Sequence, residues 1–588
     1  MQSLPLPTFI GAMMALLVSM GTTNAVIAWP CPYQCECDSR LQTVRCSLVY
    51  GVRWYVTPTN IPSDVRSLHI SDQNISSVTA LSLSNLTNLR KLEMVRSSIR
   101  ELQDNALIMA PKLRRLNLSG NSLRAMPHAV SSLRILKELI LSNNFISDLN
   151  PSDFENLTKL RVLDLSINNM SILPPGLFQP LYELRRLNLS YNAIMSIDDH
   201  TFQSLTNLED LSLSQNRIQQ LSPIWMNNLQ SLWILEMNGA LIERSQAVHL
   251  LPVSDYIRYP NLQQIRLAGN MISDLPCDAL RVMHGLQLLD LSHNKIKIIP
   301  DFCFYGMISL EELLLISNEI YLMESNSFRN VTQLSTLDLT SNRLDEIIEG
   351  LFYETSLQSL YANLNRFQAL TEMTFAGAFY LRHIFLRYNQ ISEISHRAFL
   401  YTSYLTTVDL RDNALRRIGS EFTNLTGLTF LAFSSNLIHT VQTNAFEGTS
   451  ISLIYLHNNS LTTLPQQTFS YMPTLSTITL SGNPWHCDCR VRYLCETIIN
   501  SRDPYPWMED SENMECASPK SFQEQEMQAV KPFQMICTTY ASALAIQLIV
   551  GLSLSAVAIS TALYVVQLYC KAKKLERNGV GDAGKCLA

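Results

Sequence analysis

The sequence predicts an α/β solenoid: short strands stacked in register into one parallel sheet, closed at both ends by disulfide caps and followed by a single membrane-spanning helix. Three observations carry this. A leucine and asparagine frame recurs at a nearly constant interval, cysteines cluster just before and just after the array, and a long uncharged run lies near the C-terminus. The chain has 588 residues, 47% of them hydrophobic and 16% charged, with a formal net charge of -6. So low a charged fraction argues against disorder. Neither it nor the acidic balance gives an electrostatic footprint for nucleic acid or other polyanions.

The frame L-x-x-L-x-L-x-x-N-x-L appears as LRRLNLSGNSL from Leu113, LRVLDLSINNM from Leu160, LRRLNLSYNAI from Leu184 and LQLLDLSHNKI from Leu286. Eighteen frames open at residues 65, 89, 113, 136, 160, 184, 208, 232, 262, 286, 310, 334, 357, 381, 405, 428, 451 and 475. Steps are 23 or 24 residues except one of 30, from 232 to 262. A period of this length is the mark of a repeat architecture. The L-x-L segment is a strand whose leucines point inward while the residue between them faces out. The asparagine that follows can satisfy backbone groups where the chain turns away, a requirement of any buried turn. On the opposite wall Phe154, Phe178, Phe202, Phe304, Phe328, Phe375, Phe399, Phe422 and Phe469 fall six residues before the next frame, and Phe352 and Phe446 five. They predict a stacked aromatic spine rather than a cofactor box.

This frame resembles the extracellular, typical-type leucine-rich repeat family over roughly residues 31–537, with an ectodomain similar to Toll-type receptors. The resemblance implies a horseshoe whose parallel concave sheet recognises proteins. An array exposes apolar core at its ends and needs caps. Cys31, Cys35, Cys37 and Cys46 precede the first frame; Cys487, Cys489, Cys495, Cys516 and Cys537 follow the last. Spacing leaves three pairings open for any four cysteines. The family resemblance implies Cys31–Cys37, Cys35–Cys46, Cys487–Cys516 and Cys489–Cys537. Zinc held by the Cys-x-Cys pair and His486 is the weaker reading in a secreted context. Cys277 and Cys303 occupy nearby positions in consecutive repeats, so a bridge and two free thiols are both open. Cys495 shares a helical face with Val491, Leu494, Ile498 and Ile499, which makes it a buried thiol, with an intermolecular disulfide as the alternative.

Residues 1–28 read as a secretory signal peptide, with the apolar run at 9–20 and cleavage after Ala25 or Ala28. Residues 29–64 form the N-terminal cap, 65–482 the repeats and 483–537 the C-terminal cap. No charge occurs between Lys531 and Lys571, and 541–568 are enough to cross a bilayer once. Lys571, Lys573, Lys574 and Arg577 follow, so the positive-inside rule places 571–588 in the cytoplasm and gives a type I plasma-membrane protein. Cys570, at the membrane edge, is a palmitoylation candidate. Eighteen residues of tail cannot hold a signalling or kinase domain, so any signal is expected to pass through a co-receptor in the membrane.

Sequons mark Asn85, Asn117, Asn156, Asn169, Asn188, Asn330, Asn424 and Asn458 as glycosylation sites. Asn74 also begins a sequon, but it is read as the ladder residue of the first frame and so as unglycosylated. Glycans on Asn117 and Asn188 would stand on the concave sheet, so the open surface is expected in the middle and later repeats. There the outward column holds Tyr361 and Phe385 on adjacent rungs, with Arg387, Tyr388 and Arg411 close by. Exposed aromatics beside arginines have the composition of interface hot spots, although isolated surface aromatics need no explanation. Ala240 and Ser97 replace the ladder asparagine in two frames, and the 30-residue step adds a convex loop. No phosphate loop, calcium loop, metal-helix motif or nucleophile–histidine set occurs, so no enzyme, cofactor or metal is expected. The sequence is read as that of a cell-surface glycoprotein that binds an extracellular protein or glycan as receptor or co-receptor. The alternative is an adhesion or matrix-organising protein, homophilic or heterophilic.

Overall fold

A computed structural model describes residues 31–32, 35–47, 61–222, 224–242, 259–470, 472–499, 507–537 and 540–576. The expected signal peptide, most of the 30-residue step and most of the tail lie outside them. The chain forms two compact units, residues 1–409 and 410–588.

Every frame supplies one strand. In the first unit they run from Ser67–Ser71 to Thr407–Asp409, each parallel to the next with the strand leucines facing each other, as in Leu187 with Leu211 and Leu211 with Leu235. In the second unit Phe430–Ala432, Leu453–Tyr455 and Thr477–Thr479 continue the same pattern. In the three-residue strands the middle residue is buried and the residue before it is less so, because alternate side chains must serve core and solvent in turn. Thus a column of leucine, isoleucine and valine fills the interior.

The turn after each strand is held by the ladder asparagine. Asn342 donates from Nδ2 to the carbonyls of Leu339 and Leu315, both at 2.9 Å, and its Oδ1 accepts the N–H of Ile320 at 3.1 Å. One side chain therefore closes its own turn and ties it to the preceding repeat. Asn121, Asn168, Asn216 and Asn294 do the same in the first unit, and Asn459 and Asn483 in the second. To bring the asparagine inward, the residue before it takes a left-handed conformation in all 18 frames, from Asp72 (φ 61°) to Gly482 (φ 64°). Only Gly120, Gly239, Gly269 and Gly482 of these are glycine, so elsewhere an L side chain accepts a strain of about 1 kcal/mol. Ile167 accepts it despite its branched side chain.

One assignment needs correction. The inward polar residue of the first frame is Gln73, 1% exposed, with Nε2 donating to the Ser71 carbonyl at 3.0 Å. Asn74 lies one position further along and is half-buried. Glutamine takes the asparagine's inward position there, so the ladder gives no ground for excluding Asn74 as a glycan acceptor. At the other replacements, Ser97 donates to the Val95 carbonyl, and the N–H of Ala240 is taken by Asn270 of the next repeat.

The aromatic spine is buried on the opposite wall. Phe154, Phe178 and Phe202 have centroids 6.1 and 6.0 Å apart in succession, and Phe304–Phe328 and Phe375–Phe399 stack at 5.7 Å. Trp225, 2% exposed, extends the first of these rows at 6.1 Å from Phe202. In the second unit Phe422 and Phe446 are buried likewise.

Disulfides join Cys31–Cys37 and Cys35–Cys46 in a small antiparallel cap, whose strand Thr43–Cys46 pairs with Ser67–Ser71. Cys277 and Cys303 are bonded across consecutive repeats. The C-terminal cap holds Cys487–Cys516 and Cys489–Cys537, and helix Arg492–Ile499 packs over it. Cys495 on that helix is fully buried, with its thiol within reach of the Val530 and Met527 carbonyls at 3.0 and 3.3 Å. Helix Tyr540–Glu576 contains the apolar stretch Ile546–Lys573, whose 28 residues span ~42 Å at 1.5 Å per residue, enough for a bilayer core.

Replacing Asn342 by alanine strands two carbonyls and one N–H. Exchange of the Ile320 amide with deuterium should accelerate at least ~30-fold, the equivalent of about 2 kcal/mol for unmet buried polar groups. Unchanged exchange would remove the ladder from its structural role. Burial raises the Cys495 thiol to about 11, with the charge of Glu496 adding to the effect. In the folded full-length chain Cys495 should stay unalkylated by iodoacetamide at pH 8 and react once guanidinium unfolds the cap, as read by peptide mapping.

Candidate partner-binding surface

The outward side chain of each strand stands in a column on the sheet face. Where that residue is Asp or Asn, its carboxylate or amide oxygen accepts the N–H two residues on: Asp164 from Ser166, Asn188 from Ser190, Asp290 from Ser292 and Asp338 from Thr340, at 2.8–3.0 Å. These residues therefore serve the fold, capping the strand's exit in the manner of an Asx turn. Burial holds the Asp338 carboxyl above the usual carboxylate range, and burial with the neighbouring Glu236 does the same for Asp210.

Tyr361 and Phe385 have no such task. The N–H of Arg387, two residues beyond Phe385, is taken instead by Oδ1 of Asn363 in the preceding repeat, at 2.8 Å. Freed from the turn, the two rings lie flat on each other, centroids 4.7 Å apart and planes 5° from parallel, on strands Ser359–Tyr361 and His383–Phe385. Both are half-buried. Arg387 folds over the Tyr388 ring, 4.5 Å from its centroid, and donates to the Tyr388 hydroxyl at 2.9 Å. Tyr388 is held at φ 55° in the left-handed turn and is 47% exposed. His383, on the same strand as Phe385, is kept below the usual imidazole range by burial and by Arg382. The structure thus brings Tyr361 against Phe385, and Arg387 against Tyr388, on adjoining turns of the first unit. Arg411 belongs to the second unit, where it is half-buried.

Elsewhere on this face a recess of about 230 Å³ is lined by Asp164, Arg186, Asn188, Asp210, Ser212 and Glu236. Asn188, a sequon residue, stands among these side chains. Asn117 likewise occupies the outward end of its strand, and its Oδ1 accepts from the Ser119 N–H. Asn85, Asn156, Asn169, Asn424 and Asn458 are exposed, and Asn330 is half-buried. Asp488, Cys489 and Cys537 lie close enough together to suggest metal ligands, but both cysteines are consumed in a disulfide. Cys570 is partly exposed on the long helix.

Two features escaped the frame-based reading, one on this surface and one in the core. Asn363 sits two positions beyond the outward column, and its service to the next repeat has no signature in a single frame. Trp225 falls outside the phenylalanine spacing although it fills the same wall.

The sheet, ladder and caps define a solenoid of leucine-rich units. The leucine rich repeat model matches residues 63–123, 134–194, 183–242 and 260–320, and the BspA type leucine rich repeat region (6 copies) matches 297–421 and 392–488. The chain belongs to the leucine-rich repeat family. It is 35% identical to nephrocan of Mus musculus over 147 residues, 24% of this chain and 26% of nephrocan. With platelet glycoprotein IX of Homo sapiens it shares 38% over 66 residues, 11% of this chain and 34% of that protein. The matched stretches span well under half of either relative. Toll from the Drosophila Toll–Spatzle complex superposes with a TM-score of 0.68 at 21% identity, covering 80% of this chain and 64% of that one, and so shares the fold.

Proposed function

We propose that this protein is a type I cell-surface glycoprotein that binds an extracellular protein or glycan as receptor or co-receptor, through the sheet face around Tyr361 and Phe385. The stacked pair carries the reading. Two aromatic rings stand on adjacent rungs where the fold asks nothing of them, beside an arginine pre-set over a tyrosine. Such a cluster offers a large contact area at low entropic cost, the usual make-up of an interface hot spot. Five disulfides and one helix of bilayer length support an extracellular, membrane-anchored setting. The likeness in fold to Toll, held in complex with Spatzle, supports a protein ligand. The basic residues after the apolar stretch support the orientation.

The test expresses the full chain on normally non-adherent cells and mixes them with labelled naive cells. Mixed clumps are expected, and they should disappear when Tyr361 and Phe385 are both changed to serine while surface display is unchanged. A loss of ~2 kcal/mol or more per hot-spot residue would suffice. Clumping confined to expressing cells would favour the homophilic adhesion reading. A double variant that clumps like the parent would remove the aromatic pair from the binding surface.

A further inference from the structure

A second surface departs from the expectation set by net charge. The residue just before each strand forms its own column, and in the first six frames it reads Arg66, Arg90, Arg114, Lys137, Arg161 and Arg185. The register is fixed by the backbone: Arg90 donates its N–H to the carbonyl of Arg66, Arg114 to Arg90, Lys137 to Arg114 and Arg161 to Lys137, each at 2.8 Å. Arg185 follows at 2.9 Å, and Glu209 closes the row at 2.7 Å. Six cationic side chains therefore stand on consecutive rungs. At about 4.8 Å between strands the row is ~24 Å long.

Carboxylates facing the row neutralise only one end. Glu183 meets Arg161 at 3.6 Å and Lys159 at 2.6 Å, and Glu209 meets Arg185 at 2.6 Å. Glu93 and Glu138 are taken up by Lys91 and Arg115 in the adjoining column. Asp64, exposed, flanks Arg66 at the start. Among the described residues Arg66, Arg90, Arg114 and Lys137 form no ion pair; the arginines are exposed and Lys137 is half-buried. Four uncompensated cations in line, on a chain of net charge -6, are a segregated patch that attracts a linear polyanion. No aromatic side chain stands in this column or the next one over these six frames, so nothing is placed to stack on a nucleic-acid base.

We infer that this row binds a linear sulfated glycosaminoglycan, its sulfates spaced along the arginines. This site is separate from the aromatic pair, so either can fail without the other. The test measures binding of the full chain, in zwitterionic lipid nanodiscs, to immobilised heparin and to fully desulfated heparin over a salt series. Heparin alone should bind. The triple change Arg90→Gln, Arg114→Gln and Lys137→Gln should weaken binding at least tenfold and lower the slope of log affinity against log salt by about 2. Arg90→Lys with Arg114→Lys should retain it, and Tyr361→Ser with Phe385→Ser should leave it unchanged. The equally charged control Lys295→Gln, Lys297→Gln and Arg417→Gln, all exposed positions, should bind like the parent. Absence of heparin binding at low salt, equal binding to desulfated heparin, or equal loss in the control would overturn the assignment. So would equal competition by single-stranded RNA.

Discussion

A buried N–H or carbonyl without a partner costs about 1–3 kcal/mol, and each repeat of this solenoid has to turn its chain inside the core. The ladder side chain settles that debt, because one amide can donate twice and accept as well. Asn342 reaches its own turn and the one before it, and its neighbours repeat the pattern. The rise from one repeat to the next is thereby fixed by hydrogen-bond length rather than by how bulky the core residues are. Everything on the surface inherits that regularity. Side chains 23 or 24 residues apart become nearest neighbours, and two aromatic rings or six cations separated in sequence come to stand in single file.

How much of this was legible follows from which constraints act within one frame. The strand leucines, ladder asparagines and spine phenylalanines each satisfy a local demand, so a periodic reading finds them. Left-handed backbone at the residue before the asparagine does not appear in composition, because Ile167, Tyr191 and Leu364 adopt it as readily as Gly120 does. The array over-determines the turn and overrides the residue's own preference. Gln73 is hidden from a periodic reading because an asparagine stands beside it, and a side chain one methylene longer fills the same inward position.

The two surface patches were unequally visible for a related reason. Tyr361 and Phe385 could be picked out of the outward column, but what frees Phe385 from the turn is Asn363, which accepts the Arg387 N–H of the next repeat. Asp164, Asp290 and Asp338 of that column turn out to be occupied with their own backbone. Net charge concealed the basic row entirely, since a sum over the chain cannot register that cations share one edge. Only the register makes them neighbours.

The bond between Cys277 and Cys303 has a mechanical meaning for a solenoid tethered to a membrane. Each repeat leans chiefly on its two neighbours, so tension applied along the chain would peel units off in sequence from an end. The cross-link spans a sequence separation of 26 residues. Pulled taut, that segment would otherwise reach a length of ~90 Å at roughly 3.4 Å per residue. With the sulfurs joined, the load bypasses the enclosed loop. A solenoid under traction would lose repeats on either side and still keep this one from paying out.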